Sequence, residues 1–166
     1  MYSNYQKIKL ENLWINKMIH DVRVIPLKQF VDGRGKVMHM VRSDMPGFSG
    51  FGEIYFSTIN SGAIKAWRRH KQMTLNFAVP YGTIHLVLYD DRAHSPTKGK
   101  LQEIVLGEND YILVTIPPML WYGFSARDSN LSILANCASL PHDPQEVERL
   151  DPFAPQIPYR WKSVLS

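Results

Sequence analysis

The sequence predicts an all-β fold, a closed jelly roll with one short helix near its C-terminus. Between Val22 and Asn136, short segments rich in Val, Ile, Tyr, Phe and Thr follow one another. Gly, Pro, Asn or Asp interrupts them at short intervals, which is the pattern of strands and hairpin turns. Helical periodicity is almost absent from the same stretch. Many short strands close most readily as a sandwich of two Greek keys.

Ten strands are expected: Val22–Pro26, Lys36–Val41, Glu53–Ile59, Ala63–His70, Met73–Val79, Thr83–Tyr89, Leu101–Leu106, Tyr111–Ile116, Leu120–Ser125 and Leu131–Asn136. The connections Asp32-Gly33-Arg34-Gly35, Asn60-Ser61-Gly62, Pro80-Tyr81-Gly82 and Gly107-Glu108-Asn109-Asp110 carry residues whose backbone is permissive or preset for tight turns. After Leu140 the composition turns Pro- and Asp-rich. There Asp143 as cap and Pro144 as first residue predict one or two helical turns over Gln145–Leu150. The tail, with Phe153, Tyr159 and Trp161, is expected to pack back on the barrel. Residues 1–18 read as an N-terminal extension and 19–166 as a single domain.

With 166 residues, 45% hydrophobic and 20% charged, the chain suits one globular domain with a full core. No apolar run approaches the ~20 residues that a membrane helix needs, and Met1 to Lys17 lacks a signal-peptide core. A soluble, cytoplasmic protein without a membrane partner is expected. The one cysteine, Cys137, excludes an intrachain disulfide framework; with no activating base beside it, it reads as a core residue. The net charge of +4 is modest, and the one dense basic cluster is Lys65, Arg68, Arg69 and Lys71. A nucleic-acid binder would spread more charge over a face. Clustered guanidiniums match the phosphate oxygens of a small ligand.

Five segments in order carry a resemblance. They are Ala63-Ile-Lys-Ala-Trp-Arg-Arg-His-Lys-Gln72, with Pro80-Tyr-Gly82; Gly107 to Pro118; Trp121-Tyr-Gly-Phe124; the turn Phe30-Val-Asp-Gly-Arg-Gly35; and Arg149-Leu-Asp-Pro152 with Ile157-Pro-Tyr-Arg-Trp161. Over roughly Ile19–Trp161 the chain resembles the dTDP-4-dehydrorhamnose 3,5-epimerases and the related nucleotide-sugar 3,4-ketoisomerases. That resemblance implies a cupin-type double-stranded β-helix that forms a homodimer. It also implies a nucleotide-sugar ligand, dTDP-linked, in the barrel mouth, and a place in deoxysugar or surface-polysaccharide biosynthesis. No cofactor is implied, because the ketone of a 4-keto-6-deoxy hexose acidifies its own neighbours. Metal-binding cupins supply three His and a Glu, whereas the matching positions here hold Arg68, His70, Thr74 and Tyr122, so no metal site is expected.

The chemistry of such an epimerase needs a base, an acid across the ring, and cationic help for the enolate. The family's base histidine has Arg68 as its counterpart, and arginine is no base near neutral pH. The family's tyrosine acid has no match in Leu134-Ala-Asn-Cys-Ala-Ser-Leu140. Period-2 alternation puts Ala66, Arg68 and His70 on one face, and the small Ala66 suggests that this face lines the lumen. His70 then reads as the base or as a hydrogen-bonded barrel histidine. Arg68 reads as an enolate or phosphate contact or as a simple pair with Glu53; Tyr122 reads as the acid across the ring or as core. For substrate binding the candidates are Arg34 in the turn, Lys65 on phosphates, Glu53, Asn76 on the inward face with Thr74 and Ala78, and His142 before the helix cap.

Overall fold

The computed structural model describes residues 18–127 and 131–161. The expected N-terminal extension therefore lies, apart from Met18, outside the described residues.

All ten expected strands are present, and two more join them. In chain order they are β1 (Arg23–Pro26), β2 (Gln29–Asp32), β3 (Gly35–Met38), β4 (Glu53–Ile59), β5 (Ile64–His70), β6 (Leu75–Tyr81), β7 (Thr83–Tyr89), β8 (Leu101–Gly107), β9 (Ile112–Ile116), β10 (Trp121–Ala126), β11 (Ser132–Ala138) and β12 (Val147–Arg149). One five-stranded sheet runs β1-β9-β6-β11-β4 and faces a second that runs β12-β5-β10-β7-β8. Strands β2 and β3 form a separate hairpin. These two antiparallel sheets make the expected jelly roll.

The main core lies between the sheets. Leu75, Phe77 and Val79 of β6 meet Ile84, Leu86 and Leu88 of β7, and Tyr122 and Phe124 of β10 complete the layer. A second cluster, Trp67, Val87, Trp121, Ile157 and Trp161, covers the outer face of the β5–β10–β7 sheet. The tail packs back here as expected, and the Trp67 indole donates to the Pro152 carbonyl at 3.1 Å.

The helix expected at Gln145–Leu150 is not formed. Asp143 does cap, accepting from the Gln145 backbone N–H, but only a 3-10 turn over Pro144–Glu146 follows. The chain then straightens into β12, whose Val147, Glu148 and Arg149 pair antiparallel with His70, Arg69 and Arg68. An open strand edge offers backbone partners over the whole segment, which a helix of one or two turns cannot match. Arg69 adds a charge-assisted bond to Glu148 at 2.7 Å, fixing the register.

Strand β5 departs from simple alternation. Tyr122 pairs with Arg68 but Phe124 pairs with Lys65, so one extra residue is accommodated between them. The Ala66–Trp67 peptide in this irregular stretch is cis. Ala66 and Trp67 both pack into the outer cluster. The lumen expectation for Ala66 is thus incorrect, whereas Arg68 and His70 do turn inward beside Tyr122.

Candidate active site

One wall of the barrel mouth is built by β5, β10 and β12. Directly opposed residues on antiparallel strands share a face. Tyr122 opposes Arg68, and Arg68 in turn opposes Arg149. The resulting surface sets two guanidiniums beside the His70 imidazole and the Tyr122 phenol. Neither Arg68 nor Arg149 has a carboxylate partner among the described residues, so the simple pair with Glu53, the alternative reading of Arg68, is not formed.

His70 Nε2 lies 3.2 Å from the Tyr122 hydroxyl, and the two rings stack at 9°. Burial lowers the pKa of His70. Glu146 opposes the shift, while Arg68, Arg149 and His142 add to it. The imidazole is therefore neutral near pH 7, the form that accepts a proton. Tyr122, 2% exposed, is shifted upward, first by burial and then by Tyr55, against the lowering effect of Arg68 and Arg149. Its phenol stays protonated. The Nδ1 atom of His70 is buried and has no hydrogen-bond partner among the described residues.

The 3.2 Å separation also decides a geometric point. No sugar ring fits between two atoms in hydrogen-bonding contact, so Tyr122 is not across a ring from His70. Both project from one wall.

The facing wall comes from β4 and β11. Along β4, Glu53, Tyr55 and Ser57 are half-buried and alternate with exposed Ile54, Phe56 and Thr58. Tyr55 pairs with Asn136, and Glu53 with Ala138. Asn136 is fully buried. Its Oδ1 accepts the backbone N–H of Asn76 at 3.1 Å, while its Nδ2 has no acceptor among the described residues. A buried donor left unpaired costs about 1–3 kcal/mol, a penalty that a ligand oxygen would remove.

A separate cleft, which starts at the neighbour of His70 in sequence, is lined by Lys71, Gln72, Leu140, Pro141, His142, Asp143, Gln145 and Glu146. Its floor is held by the Glu146 carboxylate, which accepts the backbone N–H groups of Lys71 at 2.9 Å, Gln72 at 2.7 Å and Met73. His142 is exposed on its rim, near enough to act on His70.

Three expected binding residues stand apart from this arrangement. Asn76 points out of the lumen: its neighbours Leu75 and Phe77 face the core, and its own amide bonds Thr115 at 2.8 Å and the Cys137 carbonyl at 3.0 Å. The Lys65 ammonium ties β5 to β4 through Ser57 Oγ at 2.9 Å and the Thr58 carbonyl at 2.5 Å. Burial and the adjacent Arg68 lower its pKa. Arg34 is bound to Asp32 at the hairpin tip, its side chain 91% exposed. That hairpin is anchored to Glu108 by Lys36 and Gln29. Glu108 follows Gly107, whose partner Thr83 lies at the opposite end of β7 from Leu88, the partner of Tyr122. At ~3.4 Å per strand residue, that is about 17 Å away.

Arg149, Tyr55 and Glu146 join the site without having been expected there. Arg149 lies inside the C-terminal signature but also within the expected helical turns, and Tyr55 lies two residues from Glu53 in an alternating strand. The spacing of Tyr55 was a usable signal.

A family model for dTDP-4-dehydrorhamnose 3,5-epimerase matches residues 16–166. The chain belongs to this family. It is 36% identical over 143 residues to a probable low-salt glycan biosynthesis epimerase of Haloferax volcanii, covering 85% of this chain and 88% of the relative. It is 29% identical over 129 residues to the spore coat polysaccharide biosynthesis protein SpsL of Bacillus subtilis, covering 78% and 85%. Among solved structures, a dTDP sugar isomerase of Desulfovibrio desulfuricans superposes with a TM-score of 0.84 at 46% identity, covering 86% of this chain and 92% of that one. The epimerase RmlC of Legionella pneumophila, solved with dTDP-4-keto-L-rhamnose, superposes with a TM-score of 0.77 at 21% identity, covering 88% and 81%, and shows the shared fold.

Proposed function

We propose that this family member epimerises a nucleotide-linked 4-keto-6-deoxy hexose by removing a proton next to the ketone. One observation carries the proposal: His70, hydrogen-bonded to Tyr122 at 3.2 Å, stands beside the Arg68 and Arg149 guanidiniums, which have no carboxylate partner among the described residues. The base takes the proton from the carbon next to the ketone. Arg68 and Arg149 offset the charge that develops on the ketone oxygen, the step where fixed cations contribute most. The substrate's own carbonyl acidifies the proton, so these groups suffice for enolisation. The glycan- and polysaccharide-biosynthetic relatives support a role in surface-polysaccharide or deoxysugar synthesis, and we place that role in the cytoplasm.

The nucleotide is read as dTDP, with Lys65, once a phosphate oxygen replaces its Ser57 and Thr58 contacts, and Arg34 proposed for the phosphates, and Glu53 and His142 proposed for sugar hydroxyls. Arg34 sits on the hairpin anchored at Glu108, at the opposite end of β7 from the partner of Tyr122, and its contribution is read as one made to a second copy of the chain. A homodimer agrees with the exposed Ile54 and Phe56 on edge strand β4, at 51% and 65% exposure.

The test is proton NMR of dTDP-4-keto-6-deoxyglucose with the protein in heavy water. Loss of the C3 or C5 signal is expected. Line broadening on binding with both signals intact would replace the epimerase with a nucleotide-sugar-binding protein.

A further inference from the structure

We infer that Tyr55 is the proton donor on the face of the sugar ring opposite His70. The inference rests on the epimerase reading and supplies what that reading lacks, because inversion at carbon requires removal of a proton from one face and its return from the other. His70, Tyr122, Arg68 and Arg149 all occupy one wall, and the His70–Tyr122 hydrogen bond leaves no room for a ring between those two. The acid must come from the facing sheet, which in sandwiches packs about 10 Å away.

That sheet offers one phenol in position. Tyr55 lies on the inward face of β4, between Glu53 and Ser57. Strand β4 belongs to the sheet facing that of Tyr122, and the Tyr55 phenol lies near enough to Tyr122 to raise its pKa. Its register partner Asn136 brings a fully buried Nδ2 with no acceptor among the described residues. This orphaned donor is a second, independent sign that ligand oxygen is received at this wall. Asn136 Nδ2 would hold a sugar oxygen while the Tyr55 O–H faces the carbon.

The proton balance closes without any further reactant. His70 takes the C–H proton on Nε2 as the Tyr122 O–H rotates away from that nitrogen, and the bonding electrons move into the enolate. The C–H bond re-forms on the opposite face with the proton of Tyr55, whose phenolate regains a proton from water as His70 releases its own.

The experiment compares Tyr55→Phe with the wild-type chain, following deuterium entry and the product's configuration on dTDP-4-keto-6-deoxyglucose in heavy water. Phe keeps the ring and its packing, and an unchanged melting temperature checks the fold. Deuterium entry within a few-fold of wild type, with inverted product down about 100-fold, is the expected result for loss of an acid alone. Inverted product at the wild-type rate overturns the assignment. So does loss of deuterium entry together with inversion, which would put Tyr55 in binding or on the base side. If the wild-type chain itself admits no deuterium, the epimerase reading falls first, and this inference falls with it.

Discussion

The His70 imidazole and the Tyr122 phenol lie nearly parallel, with Nε2 and the hydroxyl oxygen 3.2 Å apart, on a wall that both strands turn toward the lumen. His70→Gln removes the base and keeps a side chain able to bond Tyr122. Deuterium entry into the keto-sugar is expected to fall by about 10²–10⁴-fold, the usual worth of a general base. Tyr122→Phe removes only the hydrogen bond that orients the ring and should cost less. A folded His70→Gln chain that exchanges at the wild-type rate would remove His70 from the mechanism.

The pH dependence follows from the charges around that ring. Burial first, then Arg68, Arg149 and His142, hold the His70 pKa below its ordinary 6.5, against Glu146. Only the neutral imidazole takes a proton, so kcat/KM falls as pH drops through the folded-state pKa, and its acid limb should lie below 6.5. Removing a cation with Arg149→Met moves that limb to higher pH. Removing the opposing charge with Glu146→Gln moves it lower. Stability carries the matching sign: protonation favours the unfolded chain, so the folded state loses stability as pH falls below the unfolded histidine's pKa. Limbs that moved in the opposite directions would contradict the assigned neighbours.

The fold was legible in the sequence because alternation and turn chemistry agree over most of the chain. Segments such as Thr83–Tyr89 and Glu53–Ile59 form strands with the expected bounds. What alternation missed depends on contacts distant in sequence. Val147–Arg149 reads as helix by its cap, and only the open edge of β5, some 77 residues earlier, makes it a strand. Asn76 was assigned inward by counting from Thr74, but the core takes Leu75 and Phe77. Ala66 was misplaced because no local signal marks the extra residue in β5, although His70 and Arg68 came out on the correct side of it. The site was legible as far as its residues lie on regular strands, and the resemblance alone could not place Arg34 relative to His70.

That extra residue in β5 makes a stability prediction. A Cβ on Gly123 would sit 2.4 Å from the Ala66 Cβ and 2.9 Å from the Trp161 ring. Gly123→Ala should therefore destabilise by about 1–3 kcal/mol, the range for overpacking a tight core. Ala66→Gly in the same chain removes one of the two clashes and should recover part of the loss. Thermal melts of the two single variants and the double variant measure the coupling. Additive losses would mean that residues 66 and 123 do not meet across the strands.

The edge strand makes the last prediction. Ile54 and Phe56 project outward from β4, at the end of its sheet, where an apolar face and unpaired backbone groups together invite a second chain. A monomer would leave both in water, and placing charge there costs a monomer almost nothing. The same charge inside a dimer interface is buried without a partner and is strongly unfavourable. Ile54→Lys with Phe56→Glu should thus convert a dimer into a folded monomer, read by sedimentation velocity at micromolar concentration alongside an unchanged melting profile at low concentration. If wild-type chain sediments as a monomer, the face has another use, and Arg34 loses its route to a neighbouring barrel. If it sediments as a dimer that the double substitution leaves intact, the interface lies elsewhere, and the exposed Phe30, Val31 and Val37 of the hairpin become the next residues to charge.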